Sequence, residues 1–283
     1  MDTRTNGYGQ TQGMRLLQEL NAEGRFVFIV DDAMQAAERV GIGRGYVREL
    51  LQQLLKGGWL VRIKRGTYAW TGSLPGGNAV HPFVVATRLV QPSAIAYWSA
   101  MSHHGLTEQV PQIVSCCTPK KVVTPSMRRT NTRESAERHA WEIGAIRYEY
   151  TTIKPEHFFG VEEVWIDQSF RVPITDRERT ILDLFAHPRV FGGMGEAIAV
   201  LTEHAGDFDA EKLVSYAVRY AKGSVARRLG WSMAQAGFGD DVLSPLLALS
   251  TTGFRVLDPT RPRQGPYDSK WRVQDNIGKE SAQ

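Results

Sequence analysis

The 283-residue chain has only two cysteines, and they are neighbours, Cys116 and Cys117. Adjacent thiols seldom close a relaxed disulfide, and two cysteines make no disulfide framework, which fits a reducing compartment. They also fall short of the ligand set of a zinc cluster. The sequence lacks long apolar runs too. Stretches such as Phe26–Val30 and Pro82–Val85 are far shorter than the roughly 20 residues a membrane helix needs. The polar opening MDTRTNGYGQTQG has no apolar core of the kind a secretion signal carries, so a soluble cytoplasmic protein without membrane contact is expected. Several catalytic signatures are absent. Gly41-Ile42-Gly43-Arg44-Gly45 has no GK[ST] ending and no strand–helix–strand context, and neither GxSxG nor HExxH occurs. No repeat of fixed period is found. The expectation is therefore a non-enzyme without cofactor or metal.

What is present is an ordinary globular balance, 42% hydrophobic and 23% charged, so folded domains rather than disorder are the default. The formal charge is a mild +4, which makes its placement more telling than its size. The periodicities predict an α+β chain of two domains: an N-terminal winged helix-turn-helix over 1–74, then a larger mixed α/β domain over 79–283 that ends in helices. Residues 1–12 read as a disordered lead-in. A helix is expected over Gly13–Glu23, an extended piece at Phe26–Ile29, and a second helix over Ala33–Arg39 capped by Asp31 or Asp32. A third helix follows over Arg44–Lys56, with Val47, Leu50, Leu51, Leu54 and Leu55 at helical spacing. Gly57-Gly58 stops it, and Trp59–Lys64 and Thr67–Trp70 make a hairpin around Arg65-Gly66. The Gly-, Ser- and Pro-rich stretch from Thr71 to Asn78 reads as a linker. Beyond it, helices are expected over Val80–Val90 and Ser93–His103, strands over Gln112–Thr118, Ala145–Tyr150, Val161–Ile166 and Phe170–Ile174, and a helical remainder from Thr180.

The order helix, helix, tight turn, helix, two-stranded ribbon is that of a DNA-binding module. An α-helix fits the major groove, and its exposed side chains reach base edges. Opposite the apolar stripe of the third helix stand Arg44, Tyr46, Arg48, Gln52 and Gln53. Arginine can grip guanine with two bonds, and glutamine can do so with adenine. The hairpin adds Arg62, Lys64 and Arg65, placed to meet phosphates or a neighbouring minor groove. By strand alternation Leu60, Arg62 and Lys64 share one face and Val61 and Ile63 the other. Between Gly41 and Gly72 there are six basic residues against Glu49 alone, so much of the excess positive charge falls on this stretch. The DNA-binding set is Arg44, Tyr46, Arg48, Gln52, Arg62, Lys64 and Arg65. Arg39 and Lys56 read as helix C-terminal charges.

In order and spacing, several segments resemble the AbiEi antitoxins of abortive-infection, type IV toxin–antitoxin systems. They are Gly58–Tyr68, Pro92–Ala100, His104–Pro111, Thr118-Pro119-Lys120 and Ile174–Asp183, with Lys270-Trp271-Arg272-Val273 near the end. The resemblance implies a repressor whose N-terminal winged helix binds inverted repeats in double-stranded DNA upstream of its own operon. It also implies a C-terminal domain that counters a nucleotidyltransferase-like toxin without forming a stable complex, the protein itself being a monomer or weak dimer.

Other residues carry alternative readings. His103-His104 reads as capping or core packing rather than a metal site, since no acid or cysteine stands at matching spacing. Cys116 and Cys117 sit in a strand, side chains on opposite faces, one of them buried. Asp176, Glu178 and Asp183 open two readings. One is a helix start with Thr175 or Asp176 as cap. The other is a carboxylate set that holds magnesium in a metal-dependent nuclease. Lys120, Lys121, Arg128, Arg129, Arg133 and Arg138 form a second basic region, either an extension of a nucleic-acid footprint or a solvated loop. A third possibility for the whole chain is a winged helix that docks a protein partner.

Overall fold

The computed structural model describes residues 3–70, 81–122, 138–143, 146–166, 170–249 and 252–278. The fold is mixed α/β, with ten helices and three sheets among the described residues. The chain divides into two compact units. One comprises 1–91 with 140–148 and 163–172, and the other comprises 92–139, 149–162 and 173–283. The expected linker, 71–78, lies outside the described residues.

The first unit opens with α1 (Thr3–Ala22), β1 (Val27–Ile29), α2 (Val30–Arg39), α3 (Arg44–Lys56), β2 (Leu60–Lys64), β3 (Thr67–Trp70) and α4 (Pro82–Leu89). Helix α1 starts at Thr3 rather than Gly13, so residues 3–12 of the expected disordered lead-in are helical. Its Leu16, Leu17 and Leu20 meet Ala33, Ala36 and Ala37 of α2 and Val47, Leu50, Leu51 and Leu54 of α3 in one core closed by Phe28, Leu60, Tyr68 and Trp70. Three alanines on the inner face of α2 leave room for close helix approach. Neither Asp31 nor Asp32 is the cap of α2, which is Ile29. Asp32 instead reaches back one turn and accepts from the Ile29 N–H at 3.0 Å. Acids in a first turn suit the positive end of the helix dipole. Strands pair in the order β1-β3-β2, all antiparallel. A register shift between Arg62 and Lys64 breaks the simple alternation, so Leu60 and Ile63 are both buried while Arg62 and Lys64 stay outside.

The turn between α2 and α3 depends on Gly41. Its φ is +74°, its N–H bonds Glu38 O, and the next N–H, from Ile42, bonds Ala37 O. That pair of bonds closes the helix C-terminus in a left-handed glycine cap. A Cβ at Gly41 would meet no atom within 4 Å, so any penalty is conformational. Gly43, the α3 N-cap, has equally open surroundings but φ −65°. Gly41→Ala is therefore expected to lower stability by about 1–2 kcal/mol, and Gly43→Ala by much less, in parallel urea unfolding curves. Equal losses would refute this account of the turn.

The chain continues through β4 (Ala94–Ile95), α5 (Tyr97–His103), β5 (Ile113–Thr118), β6 (Arg138–Ile143), β7 (Ile146–Thr152), β8 (Val161–Ile166) and β9 (Phe170–Thr175). These strands form a six-stranded sheet in the order β6-β7-β5-β4-β9-β8. The helix expected over Ser93–His103 is shorter than its pattern. Ala94 and Ile95 form a strand, antiparallel to β5 and parallel to β9, and helix begins only at Tyr97. Full burial of both residues overrides the local helical signal. Tyr97 itself has φ 55°, a left-handed conformation costing on the order of 1–2 kcal/mol for a bulky residue.

Helices α6 (Arg177–Ala186), α7 (Met194–Glu203), α8 (Ala210–Tyr220), α9 (Gly223–Gln235) and α10 (Asp240–Ala248) complete the helical part of the second unit. Every residue of α6 from Glu178 to Phe185 is buried. A helix covered all round is a central element, and its charged residues must find partners inside the protein. A small sheet of β10 (Arg255–Val256), β11 (Tyr267–Asp268) and β12 (Val273–Gln274) ends the chain, in the order β10-β12-β11. Trp271 anchors it against α9, where a Cβ on Gly230 would come within 2.1 Å of the indole. Buried Asn276 ties the segment by donating to the carbonyls of Asp258 and Pro262 and accepting from the Asp258 N–H.

Candidate nucleic-acid interface

Residues Arg44, Arg48 and Gln52 stand at i, i+4 and i+8 on α3 and are exposed, opposite the buried Val47, Leu50, Leu51 and Leu54. Arg44 pairs through Nη1 with Glu38 Oε1 at 3.1 Å, with both side chains largely in solvent. An exposed pair of this kind contributes about 0.2–1 kcal/mol and yields readily to a stronger anion. Neither Arg48 nor Gln52 has a hydrogen-bond or ion-pair partner among the described residues. Tyr46 is different: it is half-buried and packs against the core of the unit, so its ring helps hold the helix in place. Gln53 donates weakly along the helix to Glu49 Oε1 at 3.4 Å.

The β2–β3 hairpin presents Arg62 and Arg65 to solvent without a partner among the described residues. Its turn is tied down by the Val30 N–H donating to Gly66 O at 3.1 Å. Lys64 behaves otherwise. Its Nζ donates to Leu89 O of α4 at 2.8 Å, and partial burial holds its ammonium below the ordinary lysine value. Nothing near Lys64 in the chain points to this carbonyl, which lies 25 residues downstream. Three cations left out of the expected set, Arg15, Arg25 and Arg39, are engaged, whereas Lys56 at the end of α3 is exposed. Arg39 pairs with Glu19 and Glu23, Arg25 pairs with Glu23 and Asp32, and Arg15 donates to Val40 O. They brace α1 and α2 against each other. The free cations thus concentrate on α3 and the hairpin.

The second unit accounts for most of the remaining candidates. His104 Nε2 contacts Thr175 O at 2.7 Å, which fixes the ring against β9. Cys116 and Cys117 are both fully buried, not one of the two, because β5 lies inside the sheet between β7 and β4. Burial raises both thiols, Cys117 to about 12, which leaves them as small apolar groups rather than nucleophiles. Asp176 caps α6, accepting from Arg179 N at 2.8 Å, and also accepts from Tyr216 Oη. Glu178 accepts from Asp209 N and from Lys212 Nζ at 2.7 Å. Burial opposes its charge, but the Lys212 bond holds its carboxyl below the usual range. Asp183 bonds Arg179 Nε at 3.1 Å inside the core. Asp176 and Glu178 thus share Lys212, whose Nζ also lies 3.2 Å from Asp176 Oδ2, while Asp183 pairs with Arg179. No group of three or more His, Cys, Asp or Glu placed to hold a metal occurs among the described residues. The basic segment lies mostly in 123–137, outside the described residues. Lys120 uses its backbone N–H to bond Thr118 Oγ1.

No helix among the described residues is long and apolar enough to cross a membrane. No protein-family model and no curated protein matches the chain. Among solved structures it is similar to the RV2827C protein from Mycobacterium tuberculosis, with a TM-score of 0.62 and 16% sequence identity over 93% of this chain and 90% of that one. At that identity the likeness is one of fold, and it extends over nearly the whole of both chains.

Proposed function

We propose that the chain is a sequence-specific DNA-binding repressor of the AbiEi antitoxin type, reading its operator through an N-terminal winged helix. One observation carries the reading. Arg48 and Gln52 stand unpartnered on the exposed face of α3, with Arg44 lightly held beside them, and Arg62 and Arg65 stand unpartnered on the adjoining hairpin. The element order helix, strand, helix, helix, hairpin, with sheet order β1-β3-β2, supports it, since it is the topology in which the third helix enters a major groove and the hairpin flanks it. The larger C-terminal unit is the part that would counter a nucleotidyltransferase-like toxin.

The test is fluorescence anisotropy on the DNA upstream of the gene, titrated with salt. Phosphate neutralisation releases counterions, so affinity should fall steeply with salt. Arg62→Ala and Arg65→Ala should each lower the slope of log K against log salt by about one and weaken all sequences alike. Lys64→Ala should change the slope least of the three, because its ammonium already serves Leu89 O. Wild-type slopes in Arg62→Ala and Arg65→Ala would remove the hairpin from the interface. A protein that shifted no DNA even at low salt would end the reading altogether.

A further inference from the structure

The small C-terminal sheet carries an exposed aromatic pair. Phe254 and Tyr267 are 44% and 61% exposed, and their rings meet edge to face with centroids 4.9 Å apart. The register explains their position. Val256, Gln274 and Tyr267 form one row across β10, β12 and β11, so their side chains share a face. Phe254, two residues before Val256, joins that face. The next row holds Arg255, Val273 and Asp268, and buried Val273 turns it toward the core. The face with the rings therefore looks to solvent. Single exposed apolar residues are ordinary, but two large rings in contact on one sheet face form a patch that favours a flat partner.

The charge around the rings is positive. Residues 252–278 contain Arg255, Arg261, Arg263, Lys270 and Arg272 against three acids. Each acid accepts from a backbone N–H: Asp258 from Met194, Asp268 from Trp271 and Asp275 from Ile277. Arg261 pairs with Asp258, and Lys270 with Asp240. Arg255 and Arg263 are exposed, and neither side chain has a hydrogen-bond or ion-pair partner among the described residues. The loop with Arg263 is held on both sides, by Asn276 donating to Pro262 O and Gln274 donating to Gly265 O. Beside Arg255, Arg228 of α9 donates from Nε to Val256 O at 3.1 Å. Burial and the Arg255 charge hold Arg228 below the ordinary arginine value, against the pull of Asp258. Like charges crowded in this way favour an anion. Rings for bases beside cations for phosphates are what a single strand of nucleic acid needs. A duplex hides its base faces, and the carboxylates of an acidic peptide offer the rings nothing to stack on. We propose that this face binds single-stranded nucleic acid, with bases stacked on Tyr267 and Phe254 and phosphates met by Arg255 and Arg263. The inference stands on the second unit alone and is independent of the duplex reading.

The test is fluorescence anisotropy of the full chain with labelled oligouridylate and oligothymidylate strands of about twelve nucleotides. An abasic strand of equal length, duplex DNA and poly-glutamate serve as controls. At low salt one or both of the base-bearing strands should bind, and the abasic strand about ten-fold more weakly. Tyr267→Ala should weaken binding about ten-fold, and Tyr267→Trp should retain it. Arg255→Ala and Arg263→Ala should each lower the slope of log K against log salt by about 0.7. Tyr267 is exposed, so its variants should fold, which an unchanged Tm checks. Tyr267→Ala should leave duplex binding as it is, and Arg48→Ala should leave single-strand binding as it is. That pair separates a failure here from a failure of the α3 reading. Neither strand binding at low salt, an abasic strand bound as tightly, wild-type affinity in Tyr267→Ala, full displacement by poly-glutamate, or loss of single-strand binding in Arg48→Ala would each overturn the proposal.

Discussion

Arg179→Met is expected to remove about 3–5 kcal/mol of stability, a large share of what a typical folded chain possesses. Arg179 is 1% exposed and Asp183 is fully buried, one turn apart on α6 with Nε and Oδ1 at 3.1 Å. The guanidinium also donates from Nη1 to His157 O at 2.5 Å and Phe159 O at 2.9 Å, and lies 4.7 Å from the Phe159 ring centroid. Burial alone would favour discharging the guanidinium, but the Asp183 charge outweighs it and raises the Arg179 value. Methionine has a similar length and no charge, so the variant strands a buried carboxylate and two carbonyls without making a large void. Much of the loss is the penalty of the stranded charge rather than the worth of the pair. Arg179→Met combined with Asp183→Leu should therefore recover part of the stability and leave the cost of the two orphaned carbonyls. Urea unfolding of both singles and the double closes the cycle. A single-variant loss under about 1 kcal/mol, or a double variant as unstable as the sum of the singles, would show that the pair is not held as described.

This pair marks the limit of what the sequence reveals. Arginine and aspartate at i, i+4 are plain in the sequence, and Asp176 as a helix start is legible from the acids and the apolar run that follow it. Nothing local states that α6 is buried all round, and burial is what turns a surface pair into the main polar anchor of the core. The first unit was more readable because its signals are local: period 3.6 in α3, a two-stranded hairpin around Gly66, and glycine at the helix ends. It failed where long-range contacts decide. Lys64 looked like a free phosphate contact and is bonded to Leu89 O, and the register shift beside it brought both Leu60 and Ile63 inward. In the second unit two residues, Ala94 and Ile95, are too short a run to announce a strand, and only a place between β5 and β9 makes them one.

On its operator, Arg48→Ala is expected to lose about 1–3 kcal/mol of binding free energy, roughly five- to 150-fold in Kd, and to relax preference at one base pair. The size follows from what Arg48 gives up. It has no partner among the described residues to compensate in the free protein, so a bidentate bond to a base would be gained in full on binding. Arg44→Ala should lose less, since Arg44 must first leave Glu38, at a cost of about 0.2–1 kcal/mol. Arg48→Lys should not restore specificity, because a single ammonium keeps the charge but loses the planar fork that matches guanine. Base reading and phosphate contact separate in one comparison, operator against scrambled DNA at a single salt concentration. If Arg48→Ala weakens both equally, Arg48 touches backbone and specificity lies elsewhere. If it weakens neither, α3 does not enter the groove. A loss confined to the operator, larger than that of Arg44→Ala and not rescued by lysine, is the result the exposed face of α3 predicts.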